Sequence, residues 1–208
     1  ASPDEIIPVI IHEMGHAVFS LLTGGGITGI KLHLNGSGVT HTTHLVGSAW
    51  FTRKIVLFAG YMTPVYLGAV ALWSVFAGFT QIMFYVLVGV ALLTLIFIRN
   101  LAGLFITLIY IIVLLATAVV YQGAYQAVFI LFMGTVLMLR GVWDIVGAGK
   151  MVFSRKYVNN ETLMTDFHIL QEESRFNIPA KAWYVIYVLV NLTVITLITL
   201  NVLTTHAA

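Results

Sequence analysis

The chain has 208 residues, of which 60% are hydrophobic and only 9% charged, with a formal net charge of +2. A soluble domain usually carries about 25% charged residues, so this composition excludes an ordinary water-soluble globule, and the small net charge gives no reason to expect a nucleic-acid partner. There is no cysteine, which rules out disulfides and thiolate metal ligands.

In chain order, the first element is a helix over residues 4–22, opened by Ser2-Pro3-Asp4-Glu5 and closed by Gly24-Gly25-Gly26. Pro8 is compatible with it only near its start or at a kink. Start at Ala1 suggests a processed or trimmed chain, and the absence of a basic start argues against a cleaved signal peptide.

Residues 27–46 change character. Ile30, Leu32 and Leu34 alternate with Lys31 and His33, the period of a strand, and Asn35-Gly36-Ser37-Gly38 is turn chemistry. This predicts a β-hairpin resting on protein or water, since a free sheet edge cannot face lipid.

Four more apolar helices follow, at residues 54–75 (with Pro64 as a kink), 81–98, 101–121 and 124–146. No charged residue occurs over 55–98 or 100–139, each about twice the ~20 residues that cross a bilayer. Residues 147–174 form the longest polar stretch, expected to hold a short amphipathic helix over 161–173 capped by Asn160. A last apolar helix is expected over 179–203, with Pro179 in its first turn.

The expected fold is therefore an all-α polytopic membrane protein. It would be one domain over residues 1–208, with about six transmembrane helices and a β-hairpin after the first. Alternation of sides places all ten Lys and Arg, including Lys31, Arg53, Arg99, Arg140 and Lys150, on or near one side. The positive-inside rule makes that side cytoplasmic, along with the hairpin and residues 147–174.

The motif that carries chemistry is His12-Glu13-Met14-Gly15-His16, an H-E-x-x-H inside the first apolar helix. Positions i and i+4 share a helix face about 6 Å apart. Two imidazoles so placed can bind one Zn²⁺, with Glu13 as general base toward water. Two mutually hydrogen-bonded histidines would be the bland alternative, but that leaves three ionisable groups at membrane depth without a purpose.

A catalytic zinc usually takes three protein ligands. His16 lies on the order of 12 Å from the cytoplasmic end of its helix, so the third ligand should come from the cytoplasmic half. Asp144 and Asp166 both qualify. Asp144 is a carboxylate in an apolar helix, with an ion pair to Arg140 four residues earlier as the competing reading. Asp166 lies in the polar stretch, where an ordinary solvated acid is the competing reading. His33 could line a cavity. His41 and His44 sit three apart on a strand and make a poor chelate. His168 and His206 read as interface or tail residues.

Taken together, His12-Glu13-Met14-Gly15-His16-Ala17, Thr23-Gly24-Gly25-Gly26 and Gly36-Ser37-Gly38-Val39-Thr40 resemble the site-2 protease family of intramembrane zinc metalloproteases, in particular its M50B-like branch. Ala59-Gly60-Tyr61 with Gly68, Trp143-Asp144-Ile145, Thr165-Asp166 and Ile178-Pro179-Ala180-x-x-Trp183 fit the same resemblance. It implies a zinc-dependent endopeptidase acting on membrane-embedded or membrane-adjacent protein substrates, with His12 and His16 as ligands and Glu13 as base. Many members supply an acidic ligand from N-x-x-P…L-D-G. This chain has no such motif, so Asp144 and Asp166 stay in competition. A metal-binding scaffold or transporter without hydrolysis is the other class. Glu13 argues against it, because a carrier needs no base beside its ligands.

Overall fold

The computed structural model describes residues 3–34, 36–43, 49–120, 124–154, 165–174 and 176–207. These divide into two compact units, Ala1–Ile145 and Val146–Ala208.

In the first unit, α1 (Pro3–Leu22) opens on Pro3 and carries Pro8 two turns in. It ends as a Schellman motif: Gly25 N–H donates to the Ser20 carbonyl at 2.8 Å and Gly24 N–H to Leu21 at 3.0 Å. Gly24 supplies the required left-handed turn at φ 79°. The chain then enters the hairpin, β1 (Gly26–Leu32) and β2 (Gly38–Thr43), paired antiparallel with a bulge between Ile27 and Gly29. The expected hairpin over 27–46 is thus present through Thr43, and residues 44–46, His44 among them, fall outside the described residues.

Three long helices follow, α2 (Ala49–Phe76), α3 (Thr80–Phe97) and α4 (Leu101–Val120). The turn between α3 and α4 closes the outer edge of β1. Ile98 bridges Ile30 in parallel, and Arg99 N–H donates to the Ile30 carbonyl at 2.9 Å. The Asn100 amide completes the closure from both ends: Leu32 N–H donates to its Oδ1 at 3.1 Å, and its Nδ2 donates to the Leu32 carbonyl at 2.7 Å. This keeps the outer edge of β1 from facing lipid unpaired. Ile30 and Leu32 point into a core shared with Ile10, Met14 and Ala17 of α1, Leu87 and Ala91 of α3, and Tyr110 and Leu114 of α4.

The fifth long helix, α5 (Ala124–Phe153), crosses α2 where glycines meet: a Cβ at Gly68 would lie 2.7 Å from the Gly134 carbonyl. Close backbone approach through small residues is how helices associate where lipid removes the hydrophobic drive.

α5 was expected to stop at 146 but continues to Phe153, through Gly147 and Gly149. Within the second unit Gly149 lies against the Tyr184 ring, so tertiary packing offsets the low helix propensity of glycine. The short helix is also shorter than expected. It is α6 (Asp166–Glu172), capped by Thr165, and 155–164 lie outside the described residues. Thr165 and His168 reciprocate as a capping box, which sets the start. Phe167 packs edge-on against Tyr184 and Tyr187 of α7 (Ala180–Ala207), with centroids 5.4 and 5.5 Å away.

Four of these helices, α2 to α5, are long and apolar enough to cross a membrane. The apolar stretches described in α1 and α7, Ile7–Leu22 and Ala180–Thr196, are shorter.

Candidate active site

α1 presents its ionisable residues to two different neighbours. His12 and His16 face α2, and Glu13 faces the hairpin. The x-x of the motif contributes too: a Cβ on Gly15 would lie 2.5 Å from Thr63 Oγ1 and 2.7 Å from the Ala59 carbonyl, so glycine is what lets α1 and α2 approach.

The two imidazoles converge. Their Nε2 atoms are 3.1 Å apart, and the rings meet edge to face at 82° with centroids 4.8 Å apart. His16 Nδ1–H donates to the Val56 carbonyl of α2 at 2.7 Å. That bond places the proton on Nδ1 and turns the Nε2 lone pair toward His12, the arrangement in which a carbonyl orients a metal-binding histidine. Tyr61 stands edge-on to the His12 ring at 4.8 Å.

Two nitrogens bound tetrahedrally to one zinc at ~2.05 Å would be about 3.3 Å apart, close to the separation found here. Gly60 lets the α2 backbone lie directly against both rings. A Cβ at that position would lie 2.5 Å from His16 Nε2 and 2.7 Å from His12 Nε2. A converging pair of imidazole nitrogens, one held by a backbone carbonyl in the tautomer that frees Nε2, fits a metal of zinc's size and ligand preference.

Glu13 is buried, 5% exposed, and its surroundings come from β2. Thr40 Oγ1–H donates to Oε2 at 2.6 Å and also lies 3.1 Å from the Glu13 carbonyl. Gly38 packs against the other oxygen, where a Cβ would lie 2.7 Å from Oε1.

The remaining candidates are placed as follows. Asp144 sits on α5 with its Oδ1 3.6 Å from Arg140 Nε, the i, i+4 ion pair that competed with a ligand role. Asp166 is the first residue of α6, in the second unit. Near it, His168 Nδ1 accepts from Thr165 N–H at 3.2 Å. Burial pushes the His168 pKa down, with Glu172 opposing. His33 and His41 are exposed. His206 lies in α7.

Sequence reasoning named the three motif residues but gave no role to Val56, Gly60, Gly38 or Thr40. The strand period puts Gly38 and Thr40 on one face, and the family resemblance includes Gly38, Thr40 and Gly60 without assigning them a role.

The sequence matches the family model described as Peptidase M50B-like over residues 1–198. No curated protein and no solved structure matches the chain.

Proposed function

The chain belongs to the M50B-like peptidases, and from that premise we propose that it is a zinc-dependent endopeptidase working inside a membrane, with Glu13 as its general base. The observation that carries this reading is the 3.1 Å convergence of His12 and His16 Nε2 against Gly60, with Glu13 next in sequence to His12 and buried.

His12 and His16 would hold the metal, and Asp166 is proposed as the acid that completes the set. Asp166 is preferred over Asp144 because Asp144 already has Arg140 as its counter-ion. Two imidazoles and a carboxylate are a ligand set of catalytic zinc sites. Bound zinc supplies Lewis acidity, lowering the pKa of water and polarising a peptide carbonyl.

The chain's own residues supply the rest. The Val56 carbonyl holds His16 in its ligating tautomer. The Glu13 carboxylate accepts a proton from the attacking water and delivers it to the leaving amine. A substrate helix hides its amides in its own hydrogen bonds, so it must unwind to be cut. With the outer edge of β1 occupied by residues 98–100, β2 is, among the described residues, the strand that would receive it. An extended segment pairing with β2 would lie on the strand that touches Glu13.

In this reading α1 and α7 join α2 to α5 as six membrane spans. The basic side is cytoplasmic, and the substrate is a membrane-embedded or membrane-adjacent protein reached by water from that side. A metal carrier or scaffold has no use for a buried carboxylate clasped beside the ligands.

The test is zinc content of the purified chain together with cleavage of fluorescein-labelled casein in detergent. Wild type should hold one zinc and cleave. E13Q should keep the metal and lose turnover by at least ~100-fold, the usual contribution of a general base. Full proteolysis by E13Q, or a folded wild type that takes up no zinc, would refute the proposal.

A further inference from the structure

We propose that Gly38 and Thr40 of β2 form a cradle that positions the Glu13 carboxylate, so that the strand receiving the substrate also aims the base at it. The inference rests on the peptidase reading above and assigns Gly38 and Thr40 a role in it.

The geometry is specific to each oxygen. Positions 38 and 40 are two apart on one strand and therefore share a face. Thr40 takes Oε2 by a hydroxyl donor at 2.6 Å. A hydroxyl-to-carboxylate bond of that length is charge-assisted and directional. Gly38 contacts the other side of the same group, and any side chain there would press on Cγ, Cδ and Oε1 at 2.6 to 2.9 Å. One residue binds the carboxylate and the other makes room for it.

The cradle is itself held in place. Thr40 pairs across the hairpin with Ile30, which is fully buried. The Ile30 carbonyl accepts from Arg99, and Asn100 clasps Leu32 two residues further along β1. The carboxylate is thus connected through β2 and β1 to the turn between α3 and α4. Carboxylate rotamers that point elsewhere would forfeit the Thr40 bond, so the base is held in one orientation before substrate arrives. Substrate paired with β2 would then meet a base at fixed distance, whatever its side chains.

Thr40 is a positioning residue and touches no reacting atom, so its signature is a kcat effect. T40V keeps the β-branched shape and deletes the donor. With fluorescein-labelled casein in detergent, it should lower kcat by roughly 10- to 100-fold, the scale of a misplaced catalytic group, with KM within about twofold of wild type. T40S restores the hydroxyl and should recover most of the loss. G38A should lower kcat with the hydroxyl intact. All three should fold and match wild type in zinc content, with T40V and G38A somewhat less stable because each disturbs the buried Glu13 carboxylate.

A second readout needs no turnover. The infrared carboxylate bands of T40V should differ from wild type, and the same substitution made in E13Q should give no difference. That comparison tells failure of the cradle from failure of the peptidase reading: if wild type cleaves nothing, the bands still report whether Thr40 holds Glu13. Wild-type kcat in T40V, an equal loss in T40S, a loss explained by missing zinc or by an unfolded fraction, or unchanged carboxylate bands would each overturn the proposal.

Discussion

Replacing Gly60 with alanine adds one methyl group to α2, and the backbone fixes where it lands. The new carbon would sit 2.5 Å from His16 Nε2 and 2.7 Å from His12 Nε2. An unstrained contact between such atoms is about 3.5 Å. The two nitrogens must therefore retreat by about 1 Å and 0.8 Å, or α1 must move away from α2. Neither is easy. His16 is tied to Val56 at 2.7 Å, and Gly15 already lies against Thr63 and Ala59. Metal–ligand distances tolerate only about ±0.2 Å. G60A should thus weaken zinc binding by at least ~10-fold, comparable to disturbing a ligand's support, and lower casein cleavage by about 100-fold. The helix itself should not suffer, because alanine in a helix interior is about 1 kcal/mol better than glycine. Zinc affinity by chelator competition, cleavage rate and thermal unfolding, all in detergent, separate these effects. A folded G60A with wild-type zinc affinity would refute the claim that the two nitrogens beside Gly60 bind a metal.

Three further outcomes are expected. D166N should lose zinc while D144N keeps it. D144N should cost no more than about 0.5 kcal/mol, since a partly exposed i, i+4 pair contributes little; the reverse pattern would transfer the ligand role to Asp144. N100A removes both bonds to Leu32 and leaves that strand end unsatisfied at a cost of about 1–3 kcal/mol. Faster hydrogen exchange at the Leu32 amide reports it, and unchanged exchange would show that the closure of β1 does not depend on Asn100. Stripping the wild type with a chelator should abolish cleavage, and zinc added back should restore it; activity that survives a verified loss of metal would refute the zinc mechanism.

Local features were the ones legible in the sequence. H-E-x-x-H fixes its own geometry because helical i, i+4 spacing does, and the 3.1 Å between the two Nε2 atoms is that spacing realised. The Arg140–Asp144 pair and the hairpin before Thr43 are local in the same sense. The extension of α5 was not legible, because Gly147-Ala148-Gly149 reads as a helix breaker until Tyr184 is seen against Gly149. The helix start at Thr165 was missed for want of any signal that His168 would reciprocate the cap. The clasp of Asn100 on Leu32 spans 68 residues, and that of Thr40 on Glu13 spans 27. Periodicity tells which face a residue occupies but not which neighbour it meets there.

The asymmetry of the hairpin edges limits how this protein can associate. An uncovered strand edge is a template for any chain, including another copy of the same chain. Residues 98–100 have consumed one edge, and among the described residues β2 pairs with β1 alone. Among the described residues the sheet can therefore grow at β2 and not at β1. If β2 receives substrate as proposed, two copies meeting edge to edge would compete with substrate for that edge on both.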